Sequence, residues 1–182
     1  MNKFSNIFIL NTGRCGSTTF IQACRHISNF SALHESRLTY TGSRRFAYPE
    51  NHIEADNRLS WMLGRLGKKY NNRAFYVHLS RDVKITADSF AKRKEFGIMK
   101  AYREGILLFG EEHQSSREIA LDYIDTVESN IELFLKDKTN KMDFHLESAK
   151  KDFETFWDKI GAEGDFDAAL KEWDTNYNAS RK

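Results

Sequence analysis

Two hydrophobic periods alternate along the chain. Largely apolar runs occupy 6–10 and 74–79, and Lys141–Leu146 reads as a last strand. Runs of this kind suit strands buried on both faces of a parallel sheet. Between them, apolar residues return every three or four positions, which is the helical period. The pattern predicts helices over 17–26, 53–70, 83–93, 97–109, 116–136 and 151–160. In 116–136 the repeating face is Tyr123, Ile124, Val127, Ile131 and Phe134, and in 53–70 it is Leu59, Met62, Leu63 and Leu66. A last helical face carries Phe166, Leu170 and Trp173. A short strand is predicted over 30–35, and strands alternating with helices imply a parallel α/β fold. No repeat, low-complexity segment or linker interrupts the pattern, so one domain over 1–182 is expected.

The first strand runs into Asn11-Thr12-Gly13-Arg14-Cys15-Gly16-Ser17-Thr18-Thr19, and a helix follows. Strand, glycine-bearing loop and helix start form a layout that binds anions through backbone N–H groups. Gly13 and Gly16 let the backbone turn and approach an anion, while Ser17, Thr18 and Thr19 add hydroxyl donors. The ATP-binding consensus places Lys directly after its second Gly. Here Ser17 stands there, and the nearest cation is Arg14 inside the loop. A plain strand–helix turn is the competing reading of the same residues.

The 30–35 strand ends in His34-Glu35-Ser36-Arg37. Open α/β sheets bind ligands at the carboxyl ends of their strands. Side chains alternate along a strand, so only one of His34 and Glu35 faces a pocket if the strand continues through both. Residues 36–57 then carry Tyr40, Arg44, Arg45, Phe46, Tyr48 and Pro49, and read as a long loop, either a lid or a surface excursion.

The 182 residues can bury a sizeable core. With 28 basic and 26 acidic residues the net charge is +2, which argues against broad nucleic-acid coating but allows a local anion pocket. No stretch of about 18 apolar residues occurs, and the N-terminus lacks a signal-peptide cleavage pattern, so a cytoplasmic location away from membranes is expected. Cys15 and Cys24 do not make a disulfide framework. The phosphate-holding Cys-x5-Arg pattern is absent, since Ile21 stands at that spacing, and Cys15 reads as a structural or loop-lining residue. No His/Cys/carboxylate cluster has metal-ligand spacing.

Three separated features align: the loop 11–18, the strand end Leu79-Ser80-Arg81-Asp82 with Ser89 eight positions after the Arg, and the late Phe144-His145-Leu146-Glu147. Together, over about residues 6–160, they resemble sulfotransferases that use 3′-phosphoadenosine 5′-phosphosulfate (PAPS). The loop is similar to that family's 5′-phosphosulfate loop in an Arg-Cys-Gly-Ser-Thr form. The resemblance implies a three-layer P-loop-like fold with a central parallel sheet and a helix-rich second half. It implies sulfuryl transfer from PAPS to a hydroxyl or amine of a small-molecule acceptor, with PAP as product and no metal. Gly13, Arg14, Cys15, Gly16, Ser17, Thr18 and Thr19 would hold the 5′ end, and Arg81 with Ser89 the 3′-phosphate. Arg14 would steady the leaving phosphate, and Glu35, in preference to His34, would be the general base.

The chain departs from the family in being short, and in having Ser148 and Ala149 after Glu147. It also lacks the C-terminal Arg-Lys-Gly-x-x-Gly segment. Lys100 and Arg103 are candidate substitutes. A small P-loop kinase or NTPase, and a non-catalytic nucleotide-binding module, are the alternative functions. Acceptor identity and oligomeric state are not legible.

Overall fold

The computed structural model describes residues 3–175 and Tyr177. Five parallel strands form one sheet in the order β2-β3-β1-β4-β5: β1 Asn6–Leu10, β2 Ser31–His34, β3 His52–Ala55, β4 Ala74–Ser80 and β5 Lys141–His145. The apolar runs β1 and β4 lie side by side in the middle, where both faces are covered. Their alternation splits the core in two. Phe8, Leu10 and Tyr76 face a layer built from α2 (Leu63–Tyr70), α3 (Val83–Ala91) and α5 (Ser116–Leu135). Ile7, Ile9, Val77 and Leu79 face α1 (Ser17–Cys24), α6 (Ala149–Ile160) and α7 (Phe166–Lys171). The expected three-layer α/β architecture is therefore present. Phe153, Phe156 and Phe20 pack at its centre, with Trp173 against them.

Two expectations need correction. The helix read over 53–70 is three elements: β3, a 3-10 turn at Asn57–Trp61, and α2. The long loop over 36–57 accordingly ends at β3 and holds a 3-10 turn at Gly42–Phe46. The strand was hidden because His52 and Glu54 look solvent-facing, yet both are buried. Each is satisfied there, as buried polar groups must be. His52 sits 2.8 Å from Glu54 through Nε2 and 2.8 Å from the Ser31 hydroxyl through Nδ1. Ser36 donates both its N–H and its hydroxyl to the Glu54 carboxylate, each at 2.6 Å. Asp56, also buried, accepts from the Arg45 guanidinium.

The predicted helix 97–109 is also shorter. It comprises α4 (Gly97–Ala101) and a wide π turn at Tyr102–Ile106, and Leu108 and Phe109 then take positive φ. Buried Tyr102 anchors the turn by donating its hydroxyl to Asp122 at 2.5 Å. By contrast, α5 keeps its full predicted length, opened by a Ser115–Glu118 capping box.

Candidate functional site

The loop between β1 and α1 is built around buried Asn11. Its amide donates to the Ile9 carbonyl at 2.9 Å, and its side-chain oxygen accepts from the Gly13 N–H at 2.9 Å. The loop is also clamped from behind. Ser60 donates to the Asn11 carbonyl at 3.1 Å, and Tyr123 to the Thr12 carbonyl at 2.7 Å. Asn57 donates to the same Thr12 carbonyl at 3.4 Å. Gly13, Arg14 and Gly16 take left-handed φ of 90°, 60° and 92°. Left-handed residues interspersed in a turn direct successive N–H groups into an anion-binding concavity. Gly16 opens α1 with no side chain capping its first turn, so the helix N-terminus adds donors to that concavity.

Gly16 is favoured first by its backbone and second by the space around it, since the Leu146 side chain would have to move to admit a larger residue. A Cβ there would lie 2.7 Å from Leu146 Cδ1, on a backbone that disfavours side chains. Gly16→Ala is therefore expected to destabilise the protein by about 1–3 kcal/mol and to weaken anion binding. Urea unfolding with and without the nucleotide checks this, and unchanged values for both would remove Gly16 from the loop's design.

Three arginines converge beside the loop. Arg14 Nε donates to the Ser89 hydroxyl at 2.9 Å, across 75 residues. Arg81 donates to the Arg14 carbonyl at 3.3 Å. Burial, together with the neighbouring charges of Arg93 and Arg81, pulls the Arg14 pKa below the ordinary arginine value. Among the described residues, no carboxylate forms an ion pair with Arg81 or Arg93. The site thus concentrates positive charge that an anion would neutralise.

Arg93 is a residue that the sequence reading missed. Its signal was position: it follows Ser89 by four residues, one helical turn on. Lys100 and Arg103, the expected substitutes, belong to a different arrangement. Arg103 is bound to Glu95 at 2.9 and 3.1 Å and to Glu104 at 2.9 Å, and Lys100 is exposed on α4. Glu147 accepts from the Asp82 N–H at 2.8 Å, tying the end of β5 to the turn that carries Arg81.

On the other flank, β2 makes its last ladder bond from the Glu35 N–H to the Ala55 carbonyl at 2.9 Å. Glu35 then takes φ 53°, which ends the strand and its alternation. The His34 side chain consequently reaches the loop, and that of Glu35 turns to Arg58. His34 Nε2 lies 3.0 Å from the Ser17 hydroxyl, and Glu35 accepts from Arg58 at 3.1 Å. Asp56 fixes Arg58 by accepting its N–H at 2.9 Å. Asn57 and Arg58 are also site residues absent from the sequence reading, since they lay inside the predicted helix 53–70.

Cys15 turns its thiol into the core, 3.5 Å from the Asn11 side-chain oxygen, and burial pushes its pKa up to about 12. It is no nucleophile at neutral pH and can offer an anion only its backbone. Thr19 is buried, whereas Ser17 and Thr18 are half-exposed at the helix start. Among the described residues, no group of three or more His, Cys, Asp or Glu is placed to hold a metal ion, and no helix is long and apolar enough to cross a membrane.

No protein-family model matches the chain, and no curated protein matches its sequence. Solved structures do match. A sulfotransferase domain from the curacin biosynthetic pathway superimposes with a TM-score of 0.68 over 97% of this chain and 79% of that one, at 14% identity. Mouse sulfotransferase SULT7A1, solved as a complex with PAP, superimposes with a TM-score of 0.56 over 93% of this chain, at 16% identity. This chain spans 64% of that protein's length. The fold is the sulfotransferase fold.

Proposed function

We propose that this protein is a sulfotransferase that takes its sulfuryl group from PAPS and delivers it to a hydroxyl or amine of an acceptor. The observation that carries the reading is Arg14. Its side chain bonds Ser89 while its carbonyl accepts from Arg81, so the loop and the Arg81/Ser89 pair form one continuous anion site. PAPS carries two anionic ends, and the residues present fit both. The N–H groups of Gly13, Arg14, Cys15 and Gly16, with the hydroxyls of Ser17, Thr18 and Thr19, suit the 5′-phosphosulfate. Arg81 and Ser89, with Arg93 close by, suit the 3′-phosphate.

When bound, PAPS supplies an activated sulfuryl group. Arg14 and the loop N–H groups stabilise the negative charge that develops on the leaving phosphate. Glu35 accepts the acceptor's proton, and Arg58 at 3.1 Å holds its carboxylate in place. His34 steadies Ser17 at the helix start.

Arg81→Ala tests the donor assignment. Loss of one charge-assisted contact, about 1.5–3 kcal/mol, is expected to weaken PAP binding about 10- to 150-fold. Affinity for 5′-AMP, which has no 3′-phosphate, is expected to stay nearly constant in calorimetry. Equal losses for both ligands would take Arg81 out of the 3′-phosphate role. Thermal shifts with PAP that exceed those with ATP or GTP separate this reading from a kinase or NTPase.

A further inference from the structure

Charge is distributed unevenly along this chain. Residues 37–73 contain eight Lys and Arg against three Asp and Glu, a net of +5, while the whole protein is only +2. Two of those three acids are buried and already engaged: Glu54 by His52 and Ser36, and Asp56 by Arg45 and the Arg58 N–H. Glu50 is the one exposed acid of the segment. The outward-facing charge is therefore almost wholly positive.

Arg45 and Arg58 are paired with Asp56 and Glu35, but three other arginines are held in place without a carboxylate partner. Arg37 donates to the Arg44 carbonyl at 3.1 Å, and Arg65 to the Gly42 carbonyl at 2.7 Å. The Arg37 and Arg44 guanidinium groups lie 5.3 and 5.4 Å from the Tyr40 ring, and Arg65 lies 4.5 Å from the Phe46 ring. Carbonyls and aromatic faces orient a guanidinium while leaving its full charge. Among the described residues, no carboxylate pairs with Arg37, Arg44 or Arg65. The stripe begins two residues after Glu35 and continues along α2 through Lys68 and Lys69. In the sheet it follows Glu35 at the β2 end, whereas Arg81 and Ser89 follow β4 on the far side of β1.

We infer that the acceptor is itself anionic: an acidic oligosaccharide whose carboxylate or sulfate groups pair with Arg37, Arg44 and Arg65 while one of its hydroxyls reaches Glu35. This inference rests on the sulfotransferase reading above. Preset guanidinium forks match carboxylate and sulfate groups bidentately. Tyr40, 41% exposed beside these two arginines, adds an aromatic surface to the patch. Sugars also bring the hydroxyls that sulfuryl transfer requires, whereas an internal deoxynucleotide has none to offer.

The test uses a heparin-derived octasaccharide as probe, titrated into the full chain at two salt concentrations, with and without PAP. Neutral maltooctaose and a single-stranded DNA octamer serve as comparators. The octasaccharide is expected to bind with a log–log salt slope of about −2 and to prefer the protein over both comparators. The R37A/R44A/R65A variant is expected to lose about tenfold or more of that affinity and to keep its PAP-induced thermal shift, which certifies its fold. R37K/R44K/R65K retains the charge and is expected to recover only part of the loss. Equal binding of the DNA octamer or of maltooctaose overturns the inference, as does an unchanged affinity in the alanine variant. A protein that responds to PAP and ignores the octasaccharide also overturns it and leaves the donor reading standing. A protein that binds the octasaccharide through these arginines but ignores PAP upholds the anionic site and sinks the sulfuryl-donor reading instead.

Discussion

Glu35→Gln is expected to lower turnover by about 10²–10⁴-fold, the usual contribution of a positioned base, while PAP affinity is unchanged. Gln keeps the shape of Glu35 and a carbonyl that still accepts from Arg58, so the turn at Ser36 should persist. What is lost is an oxygen able to take a proton. Glu35 is suited to the task by its place: it ends β2, its side chain is 30% exposed, and Arg58 holds it at 3.1 Å. His34→Gln is expected to cost much less, because His34 bonds the Ser17 hydroxyl, a structural partner in the loop. The measurement is a paired assay of the two variants with one acceptor, alongside PAP calorimetry. A dead His34→Gln with a normal Glu35→Gln would exchange the two roles. If both variants turn over normally, the base lies elsewhere and the lid becomes the place to look.

The second large effect is on stability. Asp56→Ala is expected to destabilise the protein by about 3–5 kcal/mol. Arg45 and Asp56 are both buried, and removing the carboxylate leaves a guanidinium charge in the interior. Burial works against that charge on Arg45, and the hydrogen bond and charge of Asp56 more than offset it, raising the Arg45 pKa. Asp56 also caps the turn Asn57–Trp61 by accepting from the Arg58 N–H, so the variant loosens the residue that holds Glu35. Urea unfolding measures the loss. The double variant R45M/D56A is expected to regain part of it, since no unpaired charge then remains inside. A loss below about 1 kcal/mol for Asp56→Ala, the range of an exposed pair, would mean that water reaches Arg45 and that the pair does not pin the loop before β3.

Much of this was legible in the chain, and for a common reason. The loop 11–19, the strands β1 and β4, and the helix α5 are each specified by contiguous residues. An apolar run, a pair of glycines or a sustained helical period needs no distant partner to be recognised. Arg81 and Ser89 were singled out by the resemblance to sulfotransferases, whose Arg-to-Ser spacing they match. His34 and Glu35 could be placed at a strand end, though not assigned directions. The alternation rule assumed a strand that continues, whereas the left-handed backbone at Glu35 stops it.

β3 was not legible, nor was the network around it. His52, Glu54 and Asp56 are polar, and burying polar groups is costly without partners. Those partners are Ser31, Ser36 and Arg45, which come from the preceding strand, its end and the loop that follows. Arg58 was concealed with them, inside what looked like a continuous helix.

By itself, the sequence determined the local pieces: a parallel α/β chain, a glycine loop between β1 and α1, and an arginine at the end of β4. The tertiary structure decided how they combine. It set the strand order and put polar β3 between β2 and β1. It also brought Ser89 to Arg14 across 75 residues, and gave Glu35 an arginine partner. The physical reason is that a backbone turn or an apolar period is settled by neighbours in the chain. The state of a charged or polar side chain is settled by whichever distant group meets it once water has been excluded.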